Sequence, residues 1–291
     1  MKLEELPRDL AYADAHLHSN PLKGYGAEVI GRRFKESGGW FMALIGLPPT
    51  SLGFKPDLEG FTRSIEILLN ECNKLRGTGL KVACLGGFHP AMVDKMIDNH
   101  RMSPEKVYEI SLEIIRYVEK LIREGFLDGV AEVGRPHYKT SPEYVVLSEM
   151  ILDSALEMIK ENNAIAHLHL EEGGWITAQD ISKRIRRFSL DPWRVVLHHS
   201  RPKNLRPAVE MGLVASVPAL IQIIENIRTV EKRYVFESDF LDDPERPGKP
   251  MFPWDVISTS KISLEKGFLT AEDLYVIHID NIEKIYGVKP P

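Results

Sequence analysis

Eight apolar runs with strand character, separated by segments of helical period, constrain this chain more than any other feature. The runs are Tyr12 to His18, Phe41 to Gly46, Lys81 to Phe88, Gly129 to Val133, Ala164 to His169, Arg194 to His198, Leu213 to Val217 and Tyr234 to Glu237. Most are nearly continuous Val, Ile, Leu and Ala, the pattern of strands buried on both faces of a parallel sheet. Between them the clearest helix spans Pro104 to Arg123, with Ser103 as N-cap, Pro104 at the first helical position and one stripe through Val107, Ile110, Ile114, Ile115, Val118, Leu121 and Ile122. Ser141-Pro142 opens a second in the same way, continued by Val145, Val146, Met150, Ile151, Leu156 and Ile159. Further helices are expected at Pro56 to Lys74, Thr177 to Phe188, Pro202 to Met211, Pro218 to Val230 and Thr270 to Tyr286, the last with Thr270 and Asp273 placed as a capping box.

Parallel strands need crossover connections, and eightfold alternation closes most simply as a (β/α)8 TIM barrel. The 291 residues, 43% of them hydrophobic, suffice for one such domain spanning 1–291. A doubly wound open sheet is the structural rival, but no GxGxxG follows the first strand. The Pro-rich segment from Asp242 to Pro253 reads as a long loop after the eighth strand.

A net charge of −5 gives no general attraction for polyanions, so strong nonspecific nucleic-acid binding is not expected, although a metal-assisted nuclease is not excluded. Cys72 and Cys84 are the only two cysteines and are expected to be reduced core residues. The N-terminus has no apolar signal core, and no stretch approaches about 18 consecutive apolar residues, so neither membrane insertion nor export is expected and a cytoplasmic location follows.

Barrel chemistry sits at the carboxyl ends of the strands. Of the ten histidines, His16 and His18 end the first strand, His89 follows the third, and His137 lies beyond the fourth. His167 and His169 end the fifth, and His198 and His199 end the sixth. Glu132 lies at the end of strand four in an apolar setting where an unpaired carboxylate is costly, and Asp239 follows strand eight. Imidazoles and carboxylates gathered at one rim point to a divalent metal as the compensating charge.

The segments DAHLH at 14–18, GGFHP at 86–90, AEVGRPHY at 131–138, HLHLE at 167–171, VVLHHS at 195–200 and ESDF at 237–240 together resemble the TatD-like metal-dependent hydrolases of the amidohydrolase superfamily, in particular the archaeal predicted TIM-barrel hydrolases. The resemblance implies that His16, His18 and Asp239 hold one metal, that His169 and His198 hold a second, and that Glu132 bridges them. Asp239 would also serve as general base toward a metal-activated water, and His89 would contact substrate. Two ligand choices stay open, His169 against His167 and His198 against His199, with the first of each pair favoured by its place on the strand. GRPHY after Glu132 and His199-Ser200 after His198 depart from the bacterial pattern at the substrate rim.

The activity implied is divalent-metal-dependent hydrolysis of a small-molecule or nucleic-acid substrate, foremost phosphodiesterase or deoxyribonuclease action, with one or two Zn, Mn, Fe, Ni, Co or Mg ions. His137 and Arg135, with Lys139, are candidates for binding anionic oxygens. Rival readings are a lactonase, phosphotriesterase or cyclic-amide hydrolase on the same ligands, a three-metal phosphoesterase of the histidinol-phosphatase type, and a metal-binding protein without turnover. The basic run Lys183 to Arg187 reads as a solvated helix face, since no aromatic residues alternate with it.

Overall fold

The computed structural model describes residues 10–290; the expectations placed on the first nine residues lie outside them. Strands β1 (Tyr12–His18), β2 (Gly39–Ile45), β3 (Lys81–Gly86), β4 (Gly129–Gly134), β5 (Ile165–His169), β6 (Val195–Leu197), β7 (Val214–Pro218) and β8 (Tyr234–Glu237) pair in parallel and in sequence order. The chain after β8 closes onto β1, with Asp239 N donating to His16 O at 2.9 Å and His18 N to Phe240 O at 2.7 Å. The structure is the (β/α)8 barrel that the alternation implies.

Strand periodicity divides the apolar residues into two layers. On β2, Phe41, Ala43 and Ile45 belong to an inner cluster with Ala13, Ala15, Ala83 and Leu85, whereas Met42 and Leu44 belong to the larger layer beneath the helices. The helices in order are α1 (Ala27–Glu36), α2 (Leu58–Gly77), α3 (Ala91–Asp94), α4 (Pro104–Arg123), α5 (Pro142–Asn162), α6 (Trp175–Arg187), α7 (Pro202–Glu210), α8 (Ile221–Ile227), α9 (Pro253–Glu265), α10 (Ala271–Tyr275) and α11 (Asn281–Tyr286). In α4 the Ser103 hydroxyl accepts from Lys106 N and the predicted stripe is buried except for the half-buried Ile122. In α5, by contrast, Ser141 makes no side-chain cap, and Val146 and Met150 of the expected stripe are exposed. Among the described residues no helix is long and apolar enough to cross a membrane.

Three local expectations are corrected. The helix expected over Thr270 to Tyr286 starts with the predicted Thr270–Asp273 capping box but is broken by a wider π turn at Val276–Asp280. That turn carries His278, whose Nδ1 accepts from Ala13 N at 3.1 Å while Nε2 meets Ser260 Oγ at 3.0 Å, so the break joins the C-terminal helices to β1. Second, α1 and α9 were not anticipated from the sequence. Third, Cys72 and Cys84 are not free thiols. They form a disulfide with Cα atoms 6.1 Å apart, because α2 returns against β3 and brings a helix cysteine beside a strand cysteine. The segment from Asp242 to Pro253 is a loop up to the start of α9, as expected, and the Asp242 carboxylate clamps it by accepting from Asn20 N, Tyr25 N and Gly26 N at 2.7–3.0 Å.

Candidate metal centre

At the carboxyl end of the barrel, imidazoles from the ends of β1, β5 and β6 and from the loop after β3 surround Glu132, whose side chain is 6% exposed. Oε1 lies 3.7 Å from His16 Nε2, 3.1 Å from His169 Nδ1 and 3.2 Å from His198 Nε2; Oε2 lies 4.0 Å from His18 Nε2 and 3.5 Å from His89 Nε2. Two strands are irregular where they supply these groups. β1 has one extra residue between Asp14 and Leu17 relative to Met42–Leu44, and β4 has one between Val130 and Val133 relative to Ala166–Leu168. Such bulges re-aim side chains at the strand ends where His16 and Glu132 stand.

The partner of each Nδ1 sorts the histidines by chemistry, because a neutral imidazole has one N–H and one lone pair. His18 Nδ1 faces the Ile45 carbonyl at 3.1 Å and must donate to it, leaving Nε2 bare. His198 Nδ1 lies 2.9 Å from Glu237 Oε2, which leaves its Nε2 bare toward Glu132 once the ring is neutral. His16 Nε2 is buried without a hydrogen-bond partner. His89 is the reverse: its Nδ1 accepts from Ala91 N at 3.0 Å, so the neutral ring carries its proton on Nε2. The ring is thereby built as a donor through Nε2.

The electrostatics call for positive charge. Asp14, Glu132, Glu237 and Asp239 gather here, and burial is the largest influence on Asp14, His16, His89, Glu132 and His198. Burial pushes the Asp14 carboxyl up to about 7; its Oδ1 accepts from Ser238 N at 2.9 Å while Oδ2 has no partner. Burial also raises Glu132, but His89, His169 and His198 more than offset it and hold the carboxyl well below its ordinary range. Desolvation keeps His89 neutral, with its pKa down to about 3, and holds His16 well below its ordinary value, helped by His198 and His18. His198 alone is raised well above its usual value, since Glu237, Glu132 and Asp239 outweigh its burial. A divalent cation would take over the compensation that this proton provides.

Four sets of three side chains place one donor atom each within 4.8 Å of one another: His16, His18 and Glu132; His89, Glu132 and His169; His16, His198 and Asp239; and His198, His199 and Glu237. The six ligand candidates thus converge, but the grouping differs from the family pattern, with His198 beside His16 and Asp239, and His89 beside His169. The donor set, with bare buried nitrogens and shared carboxylates, fits one or two divalent ions.

His169 stands next to Glu132, whereas His167 lies deeper, 3.0 Å from His16 Nδ1. His199 sits at the mouth with φ +57° and places Nδ1 2.9 Å from Oδ2 of Asp239, itself at φ +52°. Two non-glycine residues held left-handed and paired are the kind of backbone strain that active sites retain. His137 Nδ1 is 2.6 Å from His169 Nε2 on the open side. Arg135 does not reach a substrate position. Its buried guanidinium binds both Glu171 oxygens at 2.7 and 2.9 Å, with Asp180 and Glu149 beside it, because the short turn after β4 directs it back between α5 and α6. Within the basic run, Arg184 joins the same network through Asp153, Asp180 and Glu149, so that face is an ion-pair seam between α5 and α6 as well as a solvated surface. Sequence reasoning missed Asp14 and Glu237. Each stands two residues before a proposed ligand in the sequence, the one signal available for them.

Across residues 13–287 the chain matches the family described as TatD related DNase. It is 30% identical over 282 residues to an uncharacterised protein of Methanocaldococcus jannaschii, a match covering 97% of each. Among solved structures it is similar to a TatD-like protein of Archaeoglobus fulgidus, with TM-score 0.64 and 19% identity over 95% of this chain and 100% of that one. It is similar also to a phosphotriesterase homology protein of Escherichia coli, with TM-score 0.63 and 14% identity over 96% and 99%. At such identities the structural likenesses speak for the fold.

Proposed function

The chain belongs to the TatD-related DNase family, and on that premise we propose that this metal-dependent hydrolase cleaves phosphodiesters, DNA foremost. The observation that carries the reading is the convergence of the bare Nε2 atoms of His16 and His18, and of His198 Nε2 once that ring is neutral, around the shared Glu132 carboxylate. His16, His18, His198, His169, Glu132 and Asp239 would hold one or two ions. When bound, those ions supply Lewis acidity that polarises the phosphoryl oxygen and makes a water acidic enough to attack near neutral pH. Asp239 takes the water's proton, and His199 Nδ1, 2.9 Å away, holds that carboxylate in place. The His89 Nε2–H donates to a phosphoryl oxygen as negative charge develops on it. His137, exposed beside His169, is available to a second substrate oxygen.

The test is a substrate panel of DNA, phosphomonoester, phosphotriester, lactone and dihydropyrimidine, offered to metal-replete protein with His16→Ala as control. Metal-dependent DNA degradation absent from the control is expected. Activity confined to lactones, phosphotriesters or cyclic amides would move the substrate assignment to the phosphotriesterase-like branch whose fold this barrel shares. Metal uptake with no turnover on any substrate would favour a binding protein.

A further inference from the structure

Behind the metal centre a polar chain runs down the barrel axis to the end of the polypeptide. Tyr286, in α11, has its hydroxyl 3.1 Å from Ala15 O and 2.9 Å from His167 Nε2. His167 Nδ1 lies 3.0 Å from His16 Nδ1. All four residues are buried: Ala15, His16 and His167 are fully enclosed, and Tyr286 joins the inner cluster at the floor, its ring tilted against Phe41 with centroids 4.5 Å apart. No step of the proposed hydrolysis uses His167 or Tyr286.

Proton accounting along this chain has one good solution. A carbonyl can only accept, so the single hydroxyl proton of Tyr286 goes to Ala15 O, and the hydroxyl oxygen accepts from His167 Nε2–H. With its proton on Nε2, a neutral His167 presents a lone pair on Nδ1, and the contact there requires Nδ1–H on His16. The Nε2 of His16 is then bare, and it is the buried atom that has no hydrogen-bond partner and faces Glu132 at 3.7 Å. Running the chain in reverse loses the bond to Ala15 O and puts an N–H on His16 Nε2, stranding a buried donor at the site. A cationic His167 bonded to both neighbours would place a charge in the fully buried axis, which desolvation opposes.

We propose that His167 and Tyr286 are positioning residues that fix the Nδ1–H tautomer of His16 and present its bare Nε2 to the metal. The inference rests on the metal-centre reading and deepens it. It ties the ligand ring to β5 and to the last helix, elements that contribute no metal contact through these two side chains. The bulge of β1 between Asp14 and Leu17 places the Ala15 carbonyl and the His16 ring together on this chain.

Two measurements test it, neither of which is turnover. In the first, 15N spectra of uniformly labelled metal-free wild type are expected to show His16 with a pyrrole-type Nδ1 and a pyridine-type Nε2; the opposite tautomer would overturn the proposal without any variant having to fold. In the second, chelator-competition affinities for Zn²⁺ are compared in wild type, Tyr286→Phe, His167→Leu and His167→Asn. Leu is expected to weaken affinity by about 10- to 100-fold, the range for lost partners of metal-ligating histidines, and Phe by less. Asn, whose carbonyl can accept near the position of Nδ1, should recover most of the loss, which mere filling of the barrel floor would not predict. Equal affinities in all four proteins would overturn the relay and leave the metal centre standing. No Zn²⁺ uptake by wild type would overturn the metal-centre reading itself.

Discussion

Glu237→Gln is the sharpest single perturbation of the centre. The carboxylate is fully buried and spends both oxygens as acceptors, Oε2 from His198 Nδ1 at 2.9 Å and Oε1 from the His199 backbone N–H at 3.0 Å. A glutamine fills the same volume but turns one acceptor into a donor. If its amide nitrogen faces His198, the ring must accept on Nδ1 and carry its proton on Nε2, where it can no longer ligate. If it faces His199, two N–H groups oppose each other in a buried place. Either arrangement forfeits a hydrogen bond to a charged group, about 1.5–3 kcal/mol, or strands a buried donor at similar cost. At about 1.4 kcal/mol per tenfold, metal affinity should fall by roughly 10- to 100-fold. Chelator competition with Zn²⁺ on wild type and variant measures this directly. Thermal unfolding of the metal-free forms serves as control, and the variant should not be the less stable by a comparable margin, since losing a buried charge also removes its desolvation cost. An affinity within about twofold of wild type would refute the claim that this carboxylate sets the His198 tautomer.

Asp239→Asn should lower kcat by about 10²–10⁴, the worth of a positioned general base, on whichever substrate the panel identifies; undiminished single-turnover rates would remove Asp239 from that role. Arg135→Met should lower stability in urea unfolding by about 2–3 kcal/mol, a figure reduced because Glu171, Asp180 and Glu149 are each about a third exposed, while leaving KM unchanged. A raised KM at constant stability would restore it to the substrate site. Burial holds the His278 pKa down to about 3, below its ordinary 6.5. The folded value is the lower, so between these limits the unfolded chain binds the extra proton and stability is lost as pH falls. His278→Asn should therefore show a shallower acid slope than wild type, by about 1.4 kcal/mol per pH unit between pH 6 and 4, in denaturant titrations of the metal-free protein. Identical slopes would show that the imidazole is not kept neutral by the fold.

The barrel was legible because parallel strands covered on both faces must be apolar throughout, which made β1 and β8 readable to the residue. Helix α4 was equally plain, since its cap, its proline and its stripe agree. Helix α1 was not: its buried face rests on Ala27, Ile30, Gly31 and Phe34 within ten residues, too few apolar positions to establish a period. In α9 the buried face includes Ser260 and Ser263, which read as polar, so the stripe is hidden. The disulfide escaped notice because pairing depends on how α2 lies against β3, a tertiary fact that spacing along the chain does not contain. The place of the candidate ligand histidines followed from the rule that barrel sites sit at strand ends. Glu237 did not, because a carboxylate that only steers a neighbouring ring has no sequence mark beyond its period-two relation to Asp239.

What a histidine does here depends on what its other nitrogen touches, and that is decided by strands far apart in the chain. Ile45 on β2 takes the Nδ1–H of His18, Glu237 on β8 faces that of His198, and in the relay proposed above His167 on β5 takes that of His16. His89 differs because its Nδ1 is met by a backbone N–H only two residues away, so a local turn makes it a donor whatever the rest of the barrel does. Ligand capacity is thus a consequence of barrel closure, whereas the donor capacity of His89 is local. Conditions that loosen β8 or α11 from the barrel should impair metal binding while the turn at His89 is still formed. Metal affinity should then track global stability rather than the integrity of any one loop, the coupling expected when ligand orientation is held by the fold and not by the ion.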